Sequence, residues 1–271
     1  MILFVLAVGL SITMGLMGVI NLAHGAFAMA GGYLAVVLIN RLAVPYVPAL
    51  LLAVALVAVL SVPFERILYA RIYGRGELDQ VLMTIGLTLM SMAAATYLFG
   101  PGPVTLKLPE ALDGTVPALG REFPSYRAFI VGVGAAVFAA LWFSFERTVL
   151  GAKIRAAVDN RAMAEAAGIN TARLFTLTFA LGCGLAALGG ALAVNVVGLT
   201  PRFAIQYLVV VLAVVAVGGL GTIGGTMAAA LVIGVADVAA RYFFPGASAF
   251  LIYAPLLLVM LLRPRGLLGK L

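Results

Sequence analysis

The sequence predicts an all-α, polytopic integral membrane protein, and three observations carry that prediction. Of the 271 residues, 64% are hydrophobic and 10% charged, against roughly 45–50% and about 25% in an average soluble domain. Apolar runs long enough to cross a bilayer recur from one end of the chain to the other, and the basic residues are divided unevenly between alternate connections. A water-soluble surface on a chain of this size needs more than ten acids and seventeen bases, whereas lipid asks for the reverse. One cysteine, Cys183, and one histidine, His24, exclude disulfide frameworks, multi-ligand zinc sites and two-histidine chemistry. The net charge of +7 is explained by membrane topology before nucleic acid is invoked.

A hydrocarbon core is crossed by about twenty apolar residues, within a working range of about 17 to 25. Nine segments qualify or nearly do, at about 2–20, 26–40, 46–63, 81–99, 128–146, 174–198, 206–220, 225–243 and 249–262, which predicts about 8–9 transmembrane helices in a single domain spanning 1–271. The first opens on Met1-Ile2-Leu3-Phe4-Val5 without the basic region and cleavage site of a signal peptide, so it reads as a membrane helix. Its beginning upstream of Met1 stays open. The second, seventh and ninth segments are short and flanked by glycine. Two readings stand for them: helices broken at a solute path, and ordinary membrane helices that pack closely through glycine.

If the loop after the third segment is cytoplasmic, alternation places eleven bases inside, among them Arg66, Arg155, Arg161, Arg265 and Lys270, and six outside. That bias is the positive-inside signature and sets the N-terminus outside and the C-terminus in the cytoplasm. Should 26–40 only dip into the membrane, the N-terminal assignment flips and the rest stands. Two connections exceed turn length. The outer one, about 100–127, holds Pro101, Pro103, Pro109, Pro117 and Pro124 and predicts a stiff irregular cap suited to a soluble partner. The inner one, about 147–171, contains Asp159-Asn160-Arg161-Ala162-Met163-Ala164-Glu165-Ala166-Ala167-Gly168. Asp159 is placed to cap a short helix that Gly168 ends in the left-handed conformation, with Asn170 or Thr171 capping the next membrane helix. Its small-residue face is shaped for a groove in another protein.

Several chemistries are absent from the sequence. None of Lys107, Lys153 and Lys270 stands in a phosphate-binding loop, so ATP hydrolysis and a bound cofactor are not expected of this chain. Gly218-Gly219-Leu220-Gly221-Thr222-Ile223-Gly224-Gly225 joins two apolar segments and lacks the βαβ setting of a dinucleotide site, which makes it a membrane turn or helix break. No serine lies in G-x-S-x-G or beside His24, so an intramembrane protease is disfavoured. His24 sits in the polar interruption Asn21-Leu22-Ala23-His24-Gly25, where a side chain either satisfies backbone freed by a helix break or serves gating and solute contact. Asp237 is the acid well inside a span, a functional candidate by default, although Arg241 four residues on is placed to pair with it. Asn195 and Gln206 are further polar candidates. Glu65 with Arg66, and Glu146 with Arg147, read as headgroup anchors, and the scattered methionines read as packing.

Three blocks together, Asn21-Leu22-Ala23-His24-Gly25, Gly151 through Gly168-Ile169-Asn170-Thr171-Ala172-Arg173, and Gly218 through Gly225, resemble the LivH-type membrane subunits of branched-chain amino acid ABC importers. The similarity in order and spacing runs over nearly the whole chain, except that this chain begins partway into what resembles the family's first helix. The resemblance implies the permease half of a bacterial inner-membrane uptake system, with two cytoplasmic ATPase subunits that bind the ATP, a homologous second permease and a periplasmic binding protein. It also implies an inverted internal repeat and alternating access. On it, Asp159, Asn160, Arg161, Met163, Glu165, Ala166 and Gly168 fall in the region that docks on the ATPase. Asn21, His24, Gly25, Gly221 and Gly224 match the two glycine-containing junctions, and with Asn195 and Asp237 they are the candidates for the translocation path. Relatives of the family carry branched-chain amino acids, urea, short amides or aromatic acids. The alternative is a stand-alone channel or secondary carrier for a small polar solute such as urea, with Asp237 as its proton or cation site. A purely structural membrane scaffold ranks third.

Overall fold

The computed structural model describes residues 1–118, 121–263 and 266–269. Of the bases assigned to the cytoplasmic side, Arg265 and Lys270 lie outside the described residues. The chain runs through α1 (Ile2–Met17), α2 (His24–Val36) with a π-helical extension (Val37–Arg41), and α3 (Tyr46–Ile67). After a 3₁₀ turn (Tyr69–Arg71) come α4 (Glu77–Phe99), the hairpin of β1 (Thr115–Ala118) and β2 (Arg121–Pro124), and α5 (Ser125–Arg147). Two short helices, α6 (Val149–Asp159) and α7 (Arg161–Ala166), lead into α8 (Thr171–Val197), α9 (Phe203–Gly218) and α10 (Ile223–Phe243). The chain closes through α11 (Ser248–Leu251) and α12 (Ala254–Leu262).

Each of the nine apolar segments is helical, and the ninth is split between α11 and α12. Among the described residues, five stretches are long and apolar enough to cross a membrane: Tyr46–Arg71, Glu77–Phe99, Ser125–Arg147, Thr171–Val197 and Ile223–Phe243. At 16 residues each, α1 and α9 reach only about 24 Å at 1.5 Å per residue, short of a hydrocarbon core of about 30 Å.

At the centre stands α8, against which α1, α2 and α3 pack. Its glycines permit this, because a Cβ on Gly182 would lie 2.9 Å from the Gly9 carbonyl oxygen of α1 and one on Gly190 1.8 Å from the Ala28 oxygen of α2. Small residues let helix backbones approach and gain dispersion contacts where lipid offers no hydrophobic drive between helices. Around this hub α4 and α5 leave apolar side chains uncovered, including Tyr97, Leu98, Trp142 and Phe143. Nothing among the described residues covers that apolar surface.

The connections depart from expectation in two places. The outer one is not wholly irregular: β1 and β2 form a short antiparallel hairpin, with Thr115 opposite Pro124. Its proline-rich start is tied down by two asparagines. Asn195 accepts from Leu106 N at 2.7 Å and donates to Leu106 O at 3.1 Å, while Asn40 donates to Thr105 O at 2.8 Å and accepts from Lys107 N at 3.1 Å. Backbone bonds between Val104 and Leu199 complete the seam. The inner connection holds two helices rather than one, and Asp159 does not cap the second. Asp159 is the last residue of α6, and Asn160 supplies the cap, its Oδ1 accepting from Met163 N at 3.0 Å. An extended φ of −154° at Asn160 interrupts the helix there, leaving its amide oxygen free to turn back.

Candidate functional site

The polar interruption after α1 is the first part of the site. His24 Nε2 lies 2.8 Å from the carbonyl oxygen of Leu6, eleven residues before the end of α1, which amounts to about 16 Å along that helix. The chain therefore turns back at Gly18 and runs beside α1 without helical bonds before α2 starts. Backbone freed in this way must find partners, since lipid supplies none. Side chains of α4 supply them: Gln80 Oε1 accepts from Ile20 N at 3.2 Å and Thr88 Oγ1 donates to Leu22 O at 3.2 Å. Gln80 is in turn oriented by Arg75 O at 3.2 Å. Neither residue was singled out in the sequence, although threonines and a glutamine spaced four apart in Gln80, Thr84 and Thr88 mark a polar stripe on an otherwise apolar helix.

The candidates of the interruption itself do something else. A carbonyl can only accept, so His24 Nε2 carries the proton, and the buried Nδ1 has no protein partner. Asn21 accepts from Tyr69 Oη at 2.8 Å, leaving its buried Nδ2 without a partner. Beside His24, Gly25 allows the start of α9 to come close, because a Cβ there would sit 1.9 Å from Ala204 O. Phe203, Tyr207 and Leu208 line the same small cavity as the imidazole. Two buried polar atoms, one donor and one acceptor, thus have no hydrogen-bond partner among the described residues.

Below this junction lies a clasp that the sequence misplaced. Glu65 is 3% exposed, not a headgroup anchor. Its Oε1 accepts from Tyr73 Oη at 2.6 Å and its Oε2 from Thr176 Oγ1 of α8 at 2.8 Å. Burial, and then the neighbouring Glu65 carboxylate, raise the Tyr73 phenol above its ordinary range. Glu65 stands on the buried face of α3 with Ser61 and Val57, one and two turns earlier, a periodicity that points it inward.

The inner connection forms the second part of the site. Arg161 Nε meets Glu165 Oε1 at 2.9 Å, and Thr171 Oγ1 donates to the same oxygen, joining α7 to the first residue of α8. Both bonds, Thr171 first and Arg161 second, hold the Glu165 carboxyl below its usual range. Gly168 ends the segment at φ +82°, a conformation that costs a residue with a Cβ, and Asn170 Oδ1 caps α8 through Arg173 N at 2.9 Å. Met163 stands 70% exposed on α7, and Ala166 is also exposed. Among the described residues, nothing covers that face.

The second glycine junction is a tight turn. Gly221 N donates to Ser11 O at 3.1 Å, and a Cβ on Gly15 would lie 2.2 Å from Gly221 Cα, so α1 and the turn touch backbone to backbone. Thr222 Oγ1 caps the end of α9 on Gly218 O and Gly219 O, at 3.0 and 2.8 Å. Gly224 is exposed, with Leu268 beside it. A cavity of about 820 Å³ opens beside this turn, walled by Ile12 and Met14 of α1, Arg155 and Asp159 of α6 and Leu212 of α9. It brings the inner connection and the glycine junction to one space. Asn195 and Asp237 are not brought to either junction's hydrogen bonds: Asn195 secures the outer connection, and Asp237 pairs with Arg241 at 2.8 Å on α10. Gln206 is exposed near the start of α9.

The family model described as branched-chain amino acid transport system, permease component, matches residues 1–260. The chain belongs to this family. The permease is 27% identical over 280 residues to the high-affinity branched-chain amino acid transport system permease protein BraD of Pseudomonas aeruginosa, covering 98% of this chain and 91% of that protein. To the corresponding LivH protein of Escherichia coli K12 it is 27% identical, with 98% and 90% covered. A more distant relative, the ribose import permease RbsC of Haemophilus influenzae, is 27% identical over 176 residues, 60% of this chain and 52% of that protein. No solved structure matches the permease. With its family and its long apolar helices, the permease is a multi-pass membrane protein.

Proposed function

We propose that the permease is the membrane-spanning subunit of an ATP-driven ABC importer that translocates a branched-chain or other hydrophobic amino acid, or a related small solute. The observation that carries this reading is the family match over residues 1–260, with relatives named for branched-chain amino acid transport. In this reading it pairs with a homologous second permease, sits on two cytoplasmic ATPase subunits and receives substrate from a periplasmic binding protein. It crosses the bacterial inner membrane eight or nine times with its C-terminus in the cytoplasm. The inverted internal repeat belongs to the same reading, as a likeness of topology, since the two glycine junctions are held by different contacts.

Three features support it. The exposed α7, fastened to α8 through Glu165, presents Met163 and Ala166 as a docking knob for an ATPase groove. The unpartnered Nδ2 of Asn21 and Nδ1 of His24 supply a donor and an acceptor for the carboxylate and ammonium of a passing amino acid, groups that are costly to leave bare in low dielectric. Few other charges face the interior, which suits a path of low affinity whose selectivity rests with the binding protein. Rocking of the permease halves on closure of the ATPase subunits exposes the path to one side at a time.

The deciding experiment is purification of the tagged chain from its native membrane in mild detergent. Co-purification of two ATPase subunits and a second permease is the expected outcome. A chain that emerges alone and moves solute in vesicles without ATP overturns the reading in favour of a channel or carrier. For that alternative Asp237 offers less than its position suggested, being engaged with Arg241.

A further inference from the structure

Glu65 is an acid buried at the inner end of α3 whose ligands are two hydroxyls, and among the described residues it has no ion pair. Burying a carboxylate is costly in proportion to what is left uncompensated, so an apolar residue here would be the cheaper way to hold α3 against α8. Its donors come from two other elements, Tyr73 from the turn between α3 and α4 and Thr176 from α8. On the inner side, Tyr73 meets the Phe175 ring edge-on, centroids 6.3 Å apart, and the Arg161 guanidinium of α7 lies 5.1 Å from the centroid of that same ring. On the other side, the turn carries Tyr69, whose hydroxyl donates to Asn21. Successive backbone bonds, Arg71 N to Leu68 O, Ile72 N to Tyr69 O and Arg75 N to Ile72 O, join Tyr69 and Tyr73 in one coiled turn.

We propose that Glu65, Tyr73 and Thr176 form a latch that transmits displacement of α7 to the non-helical stretch at 18–23, making them positioning residues for transport. The inference rests on the ABC importer reading. Hydroxyl to carboxylate bonds are short and directional, so a shift of Arg161 and Phe175 either drags the 69–76 turn, and Asn21 with it, or breaks the bond to Glu65. Packing alone would yield without pulling. The latch thus gives the junction two discrete arrangements, closed and released, which is what a transmitted switch requires.

The test uses the assembled importer in liposomes with radiolabelled leucine and its binding protein. Tyr73→Phe keeps the ring on Phe175 and removes only the donor. Leucine taken up per ATP hydrolysed is expected to fall about tenfold, within the usual range of coupling factors, while assembly and ATP hydrolysis stay within about twofold. Thr176→Val is expected to act in the same direction. Tyr46→Phe, which removes another buried tyrosine hydroxyl bonded to Tyr126, is expected to leave the ratio unchanged. A ratio unaltered in Tyr73→Phe overturns the latch. Amide exchange on the purified permease provides a readout without transport. Arg161→Ala is expected to speed exchange at residues 18–26 in the wild-type background and to add nothing in Tyr73→Phe. Exchange at 18–26 indifferent to Arg161→Ala overturns the latch. If the wild-type importer shows no ATP-driven uptake of any candidate solute, the importer reading fails, and the exchange result then judges the linkage by itself.

Discussion

The two glycine-containing junctions look alike in the sequence and are held by opposite means. At 218–225 the turn is secured by backbone: Gly221 N on Ser11 O, Gly15 against Gly221, and Leu267 N on Val217 O at 2.7 Å. At 18–23 a non-helical stretch is secured by side chains, Gln80, Thr88 and Tyr69, reaching in from other elements, and close backbone approach returns only at Gly25, in α2, against Ala204 O. A backbone contact is all or none, because an added carbon has nowhere to go. Side-chain contacts can be released one at a time. The turn at 218–225 is therefore suited to a fixed pivot and the stretch at 18–23 to a moving part.

The largest expected effect tests the pivot. Gly15→Val places its Cβ 2.2 Å from Gly221 Cα, and overpacking against backbone that cannot yield is expected to cost about 3 kcal/mol or more. Folded protein extracted from the membrane should drop sharply, as monitored by size exclusion in detergent. Normal yield would mean that the turn is less rigid than its contacts imply. Next, Gln80→Leu strands Ile20 N, with an expected loss of about 1–3 kcal/mol, read as a lower thermal midpoint in detergent. Thr88→Val should cost less, since the single hydroxyl proton of Thr88 is shared between Leu22 O at 3.2 Å and Thr84 O at 2.8 Å.

At the moving junction, Asn21→Leu and His24→Leu are expected to impair uptake with the complex still assembled. Wild-type transport in both would reduce these side chains to structural supports. Gly168→Pro, or charge reversal at Glu165 or Arg161, should lower substrate-stimulated ATP hydrolysis while insertion is unaffected, and intact coupling would remove α7 from the docking role. The smallest effect concerns pH. The Glu165 carboxyl is held low in the folded chain, so its clasp is present above the ordinary carboxylate range and lost only as pH falls through the depressed value. A fluorophore at Met163→Cys should report a flat baseline from neutral pH down through the ordinary range and a transition below it. Glu165→Gln should abolish that transition.

Composition and hydropathy carried the helical membrane architecture, and every apolar segment is a helix, because a helix satisfies its own backbone without knowledge of its neighbours. Local rules also placed the left-handed Gly168 and the Asp237–Arg241 pair, since both depend on residues within one turn. Contacts over long sequence distance were not legible. Glu65 and Thr176 are 111 positions apart, and nothing local distinguishes a glutamate turned toward α8 from one turned toward headgroups. The polar stripe of Gln80 could be read, but its partner could not, for the same reason, Ile20 lying 60 positions away. Asp159 lost the cap to Asn160 by a single residue, because α6, unforeseen, ran on through it.

The central placement of α8 also orders the molecule in time. Its three packing partners, α1, α2 and α3, end at Ile67, whereas α8 ends at Val197. At synthesis rates of about 5–20 residues per second, that interval lasts on the order of 10 s. During it, three early helices sit in the bilayer with their closest-packing neighbour still unmade. Through that interval Gly9 of α1 awaits Gly182. Biogenesis of this permease is accordingly late-closing: the N-terminal helices are inserted first and become a folded unit only when α8 slides between them.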